Sequence, residues 1–379
     1  MSLKRKKIMQ EVRRVVVKVG TSLSFDPSKG IDTVNLKRLA AEVAMLRKQG
    51  TEVVMVVSGA IGAGMSRLKL AERPRLIKEQ QAVAAVGQVT LMDLLSTIFA
   101  GKGVTVGQIL ISRQDLESGP RYFNIRNTLE TLLEMGVVPV INENDTVAVD
   151  EIKFGDNDRL AALATNLMAA DLLVILTDVN GLYTQDPRKS KKARLVGVVP
   201  KITRRIETSA GGEGSIAGTG GMVTKLLAAR ACVKNGEHMV IANGRRKGVL
   251  TRVLGGADEG TLFLARAISK ERRLRWMPYS EKRLSELVVK EAALTRLRSG
   301  QGHLYPADVL KVIGVFGAGE VVRLVDPGLR TWAKGVSRCS SRECSQVKGL
   351  ANWQVEQKLG HRSHPELVSH DDIVFKSKL

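Results

Sequence analysis

Several residue types that simple site chemistries need are scarce in this chain. Three cysteines, Cys232, Cys339 and Cys344, stand in 379 residues. An odd, sparse count excludes a disulfide framework and fits a reducing cytoplasm. Cys339 and Cys344 have no second Cys or His pair at a zinc-like spacing, so no metal site is expected from them. Among the five histidines, His361 and His364 read as surface residues. Aromatics make up only 4%, so the core must be aliphatic, as in parallel sheets covered by helices. No unbroken apolar run approaches the ~20 residues of a membrane span. Residues 1–14 are basic but lack the apolar centre of a signal peptide. These absences predict a soluble, cytoplasmic protein with no membrane partner.

Positive charge, by contrast, is plentiful. Fifty-nine Lys and Arg face 38 Asp and Glu, a formal charge of +21. Such a balance points to nucleic acid, a membrane surface or small anionic substrates. The excess is spread along the chain instead of forming one tail. A solvated basic surface is therefore the ordinary explanation, and nucleic-acid binding the lesser one. The length allows two domains.

Periodicity separates the chain into two parts. Valine-rich runs at 14–19, 52–57, 104–111, 137–141, 172–176 and 238–242 read as buried strands. Helical spacing at 34–49, 77–100, 122–135, 159–169 and 222–235 alternates with them. That alternation is the signature of a mainly parallel sheet with helices on both faces, a three-layer α/β/α sandwich. Near residue 266 the pattern stops. Residues 266–284 read as a basic linker and 1–13 as a basic extension. Residues 285–379 read as a small β-rich domain, with strands near 285–289, 309–314, 320–325, 331–336 and 372–375 and one helix at 292–299.

The polar stretch 142–158 is the densest concentration of candidate chemistry. Seven Asn and Asp residues crowd one strand-to-helix connection. In open α/β sheets such connections lie where ligands bind. A turn with a helix N-cap is the plain alternative, because Asp156, Asn157 and Asp158 all cap well. Three glycine-bearing connections recur at strand ends: 18–22, 58–64 (read as a turn) and 218–225. Glycines let backbone amides approach an anion, and a helix start adds its dipole. Neither the P-loop nor the dinucleotide-binding glycine pattern is present.

Lys18 ends a strand of valines, so its ammonium needs an anionic partner. Lys225 falls in the first turn of a helix, where a cation opposes the dipole unless an anion lies between. An ordinary surface lysine is the alternative for Lys225. Two lysines with a glycine cradle suit phosphoryl transfer. Thr177 and Asp178 follow a strand end, and residues 188–205 carry eight basic side chains and no acid. That run reads mainly as a solvated face, with a secondary role in guiding a polyanion inward.

These residues together resemble the amino acid kinase family, and within it the branch that phosphorylates glutamate. The likeness rests on Val-Lys-Val-Gly-Thr at 17–21, Ser-Gly-Ala-Ile at 58–61, Asn-Glu-Asn-Asp at 142–145, Gly-Asp-Asn-Asp at 155–158, the run 177–188, and Gly-Thr-Gly-Gly-Met-Val-Thr-Lys at 218–225. The C-terminal part resembles a PUA domain, a tail that acetylglutamate, aspartate and uridylate kinases lack. The resemblance implies that ATP, with Mg2+, phosphorylates the side-chain carboxylate of L-glutamate as the first step of proline biosynthesis. It implies that Lys18 and Lys225 flank the transferred phosphoryl group and that Asp158 orients them. It implies that Ser58, Asp145 and Asn157 hold glutamate. Asp145 suits the substrate's α-ammonium, and Ser58 and Asn157 its α-carboxylate or backbone atoms. Lys18, Thr177, Asp178, Thr219, Gly220, Gly221, Met222, Val223, Thr224 and Lys225 match the nucleotide site. Proline is the implied inhibitor, a dimer or tetramer the implied assembly, and RNA a partner open to the C-terminal domain. Two other readings stay open: an RNA-binding PUA protein with a kinase shell, and a kinase for another amino acid such as aspartate.

Overall fold

The computed structural model describes residues 2–26, 30–112, 115–116, 119–147, 157–187, 190–209, 221–266, 285–359 and 365–375. The chain forms two compact units. The first comprises residues 1–116 and 126–267, the second 117–125 and 268–379. The expected linker at 266–284 lies almost wholly outside the described residues.

In the first unit the elements run α1 (Ser2–Gln10), β1 (Arg14–Val19), α2 (Thr21–Ser24), a small hairpin β2 (Phe25–Asp26) and β3 (Gly30–Ile31), then α3 (Thr33–Lys48), β4 (Glu52–Val57), α4 (Ala60–Leu68), α5 (Ile77–Ala100) and β5 (Val106–Ile111). After α6 (Gly119–Glu134), of which residues 126–134 belong to this unit, come β6 (Val138–Glu143), α7 (Asn157–Leu167), β7 (Leu172–Thr177), β8 (Val198–Val199), α8 (Arg204–Ser209), α9 (Met222–Asn235), β9 (His238–Asn243), α10 (Val249–Leu254) and β10 (Thr261–Phe263). Eight strands form one sheet in the order β5-β6-β4-β1-β7-β9-β10-β8. All pairings in it are parallel except β9 with β10. This is a mainly parallel sheet accompanied by helices, as the alternation in the sequence predicts.

The valine runs explain the sheet. Val15, Val16, Val17 and Val19 in β1, and Val53 to Val57 in β4, are at most 1% exposed. β-branched side chains on both faces suit a strand covered by helices above and below. The chain leaves β1 for β4 on one side and later returns to β7 on the other. That reversal of winding creates a crevice at the carboxyl ends of β1, β4, β6 and β7.

Residues 2–10 are an integral part of this unit instead of an appendage. α1 packs on α10, with Met9 and Arg5 almost fully buried. The Arg5 guanidinium donates to the backbone carbonyl of Glu259.

The segment 58–64 also differs from the expected turn. Only Ser58 and Gly59 turn, Gly59 at φ +124°, and α4 begins at Ala60. Gly62 makes room for the Phe25 ring, while Gly64, with Gly87 of α5, allows α4 and α5 to touch. A Cβ on Gly64 would overlap the carbonyl of Val83, and one on Gly87 would overlap that of Ala60. Helix α5 itself reaches a mean hydropathy of 1.6 over an 18-residue window, the composition of a membrane span. Its residues Val83, Ala84, Leu91, Leu95, Ile98 and Phe99 are buried within the unit. An unbroken apolar run is absent because Gln80, Gln81, Gln88 and Asp93 interrupt it.

The second unit has a five-stranded sheet of β11 (Glu286–Val289), β12 (Val309–Ile313), β13 (Val321–Val325), β14 (Thr331–Val336) and β15 (Ile373–Phe375) in the order β12-β11-β13-β14-β15. Helices α11 (Glu291–Arg298), α12 (Ser341–Val347) and α13 (Asn352–Leu359) accompany it. Its own core includes Leu287, Leu294, Leu297, Leu324, Cys339 and Cys344.

Candidate active site

Four strand ends supply the site. Lys18 precedes the last residue of β1 and is 6% exposed between two buried valines. Its Nζ lies 2.8 Å from Asp158 Oδ1. Asp158 stands in the first turn of α7 and is 1% exposed. Its other oxygen, Oδ2, lies 3.1 Å from Lys225 Nζ and 2.8 Å from the Thr224 hydroxyl. Thr224 and Lys225 belong to the first turn of α9, which Gly221 caps without a side-chain hydrogen bond. One carboxylate therefore holds two ammonium groups that are 207 residues apart in sequence, one on each oxygen.

Burial alone pushes the Asp158 carboxyl upward. The charges of Lys18 and Lys225, with hydrogen bonds from Lys18 and Thr224, overcome this and hold it below its ordinary value. The cluster carries a net positive charge in a place with little water. Burying such a charge is costly without an anion, so the arrangement is suited to receiving one.

Beside it, at the mouth of the strand ends, is a hydrogen-bonded cluster of amides. Asn157 Nδ2 lies 2.7 Å from the Val57 carbonyl, 2.8 Å from Ser58 Oγ and 2.9 Å from Asn142 Oδ1. Asn142 is the penultimate residue of β6 and in turn donates to Gln88 Oε1 of α5 at 2.7 Å. Asn157 thus spends its nitrogen on the protein, where the sequence suggested a donor to the substrate. The Ser24 hydroxyl donates to the Ser58 carbonyl at 2.7 Å, tying the loop after β1 to the loop after β4. Asp145 is half-buried in the turn that follows β6.

On the other side of β1, Thr177 ends β7 and is buried, its hydroxyl 3.1 Å from Asp178 Oδ1. Asp178 is exposed. Gly221, Met222 and Val223 lie at the start of α9, with Val223 exposed. Thr219 and Gly220 lie outside the described residues, as do positions 148–156 of the polar stretch. The described basic side chains of 190–204 are exposed, as a solvated face requires.

Sequence reasoning missed three contributors. Gln88 and Asn142 form the amide cluster behind Ser58, and Ser24 bridges two loops. Gln88 carried a readable signal: it is a lone amide on the buried stripe of Ala84, Gly87, Leu91 and Leu95. Among the described residues no group of three or more His, Cys, Asp or Glu is placed to hold a metal ion.

Fold and site together fit an α/β phosphotransferase, with two ammonium groups on one carboxylate beside an amide cluster at the sheet's switch point. The amino acid kinase family model matches residues 13–243, and the PUA domain model matches 285–359. A glutamate 5-kinase from Pelobacter propionicus is 43% identical over 370 residues, covering 98% of this chain and 99% of that one. One from Geobacter sp. strain M21 is 44% identical over 98% of this chain and the whole of its own. One from Burkholderia cenocepacia is 45% identical over 97% of this chain and 99% of that one. The chain belongs to the amino acid kinase family, in its glutamate 5-kinase branch.

Proposed function

We propose that this protein transfers the γ-phosphoryl group of ATP to the side-chain carboxylate of L-glutamate, giving L-glutamyl 5-phosphate and ADP in the first step of proline biosynthesis. The carrying observation is the convergence of Lys18 and Lys225 on Asp158, 2.8 and 3.1 Å away, beside the Ser58–Asn157 cluster. The near full-length likeness to glutamate 5-kinases supports glutamate as the acceptor.

The mechanism follows from charge. A glutamate side chain has a pKa near ~4.3 and is already a nucleophile at neutral pH. No general base is needed. One carboxylate oxygen attacks the γ-phosphorus, the bond to the β-bridging oxygen breaks, and ADP leaves with that electron pair. The protein's work is alignment and charge stabilisation. Lys18 and Lys225 stabilise the phosphoryl oxygens as charge spreads over them. Asp158 fixes the spacing of the two ammonium groups and keeps them from repelling each other. Thr177, Asp178 and the segment 219–225 hold the nucleotide. Ser58, Asp145 and Asn157 hold glutamate. Mg2+, if carried in with ATP, would supply further charge neutralisation; Asp158 is already committed to the lysines.

The same reading takes proline as an inhibitor acting near residues 142–158, self-association into dimers or tetramers, RNA contact through residues 285–379, and residence in the cytosol. ADP release in a coupled assay tests the activity. Glutamate should elicit release and aspartate should not, proline should suppress it, and Lys18→Ala should abolish it. Full activity in Lys18→Ala would remove the proposed phosphoryl site.

A further inference from the structure

Helix α5 turns one amide into the core. Its neighbours on the buried stripe are Ala84, Gly87, Leu91 and Leu95, yet Gln88 among them is only 9% exposed. A buried amide is costly unless its hydrogen bonds are made. Gln88 Oε1 accepts from Asn142 Nδ2 at 2.7 Å. Gln88 Nε2 has no hydrogen-bond partner among the described residues. The side chain is therefore held in place for the sake of its oxygen.

That oxygen satisfies the far end of an amide chain whose polarity the backbone fixes. With Nδ2 directed at Gln88, Asn142 presents Oδ1 to two donors, the Glu143 amide and Asn157 Nδ2, each at 2.9 Å. Asn157 Nδ2 also faces the Val57 carbonyl at 2.7 Å. A backbone carbonyl only accepts, so this contact settles which fork of the Asn157 amide is nitrogen. Asn157 Oδ1 is consequently the fork left over, and no described residue donates to it. Ser58 Oγ, 2.8 Å from the same nitrogen, shares one of that nitrogen's two hydrogens with the other acceptors and still has its own hydrogen to give.

We propose that Gln88 is a positioning residue for the amino-acid substrate: by satisfying Asn142 Nδ2 it keeps Asn142 Oδ1 on Asn157 Nδ2, beside the Val57 carbonyl, and so holds the Asn157 side chain in place. Asn157 Oδ1 then accepts from the substrate's α-ammonium, and the Ser58 hydroxyl donates to its α-carboxylate. This rests on the glutamate-kinase reading above. Without an acceptor at position 88, Asn142 Nδ2 would be buried and unpaired. The Asn142 side chain would shift to find another acceptor for Nδ2, weakening the Oδ1 contact that steadies Asn157.

The test compares Gln88→Met, of similar size but without the acceptor, with Gln88→Glu, which keeps an acceptor oxygen there. Thermal melting controls for folding, and Gln88→Leu replaces Gln88→Met if the latter does not fold. Gln88→Met should raise the KM for glutamate about tenfold, the worth of one directed hydrogen bond. Its KM for ATP should stay within about twofold, and Gln88→Glu should remain nearer wild type than Gln88→Met in glutamate KM. An unchanged glutamate KM in folded Gln88→Met, or equal losses for ATP and glutamate, would overturn the assignment. A second readout does not depend on turnover. Hydrogen-exchange protection of the Asn157 side-chain amide, followed in asparagine-labelled protein, should drop in Gln88→Met and persist in Gln88→Glu. Equal protection in both would overturn the relay. If wild type released no ADP with glutamate while protection dropped as expected, the activity would be at fault and the relay would stand.

Discussion

Asp158 shows how far a single residue can be read from chemistry. Its carboxylate sits 1% exposed between two ammonium groups. Removing the charge while keeping the shape, in Asp158→Asn, leaves both lysines buried without a counter-ion, a situation that costs about 3–5 kcal/mol when one partner of a buried pair is lost. Turnover should fall with it, because the spacing of the lysines is no longer fixed. Nucleotide should then stabilise the variant more than wild type, its phosphates taking the place of the missing carboxylate. A thermal shift with a non-hydrolysable ATP analogue checks this; a smaller shift in the variant would contradict it. The pH dependence follows the same chemistry. The folded-state pKa of Asp158 lies below its ordinary value. Its contribution is therefore fully present above the unfolded carboxylate pKa and lost as pH falls through the folded one, below about 4. The difference in melting temperature between wild type and Asp158→Asn should be flat near neutrality and narrow only in that acid range. Lys18 and Lys225 were legible because each stands where a lysine is awkward: one in a valine strand, the other at a helix start. Gln88 and Asn142 were harder to read, because their significance lies in who faces whom across 54 residues of sequence.

At the scale of elements, glycine was the ambiguous letter. The run 58–64 holds three glycines, and a sequence cannot say which turn the chain and which admit a neighbour. Gly59, at φ +124°, turns it. Gly64 and Gly87 are packing positions where α4 and α5 meet backbone to backbone. Helices α12 and α13 went unread for a different reason. They bury only Cys344, Val347 and Val355, too few apolar positions for a period to show. The α4–α5 contact has a functional consequence, since α4 follows Ser58 directly and α5 carries Gln88. Gly87→Ala would press a methyl group into the Ala60 carbonyl, and overpacking of this kind costs about 1–3 kcal/mol. The variant should melt several degrees lower, and its glutamate KM should rise while its ATP KM stays near wild type. Unchanged melting with unchanged KM would show that the helices slide apart freely at no cost to the amide cluster.

Among the described residues each unit buries a hydrophobic cluster of its own, one including Val15, Val17, Leu39 and Val174, the other Leu287, Leu294 and Leu324. The alternation of strands and helices revealed the first, and short glycine-bounded strands revealed the second. Two cores in one chain predict departure from two-state unfolding. Lys18, Ser58, Asn157, Asp158, Thr177 and Lys225 all belong to the first unit. A ligand stabilises only the unit that binds it, by about 2.7 kcal/mol when present at ~100 times its Kd. Calorimetry should therefore resolve two transitions, and a non-hydrolysable ATP analogue should raise one and leave the other where it was. The fixed transition should coincide with that of residues 285–379 expressed alone, whose sheet and core are drawn from that stretch. If nucleotide moved a single undivided transition, or moved the one matched by residues 285–379, the assignment of the phosphoryl site to the first core would be wrong.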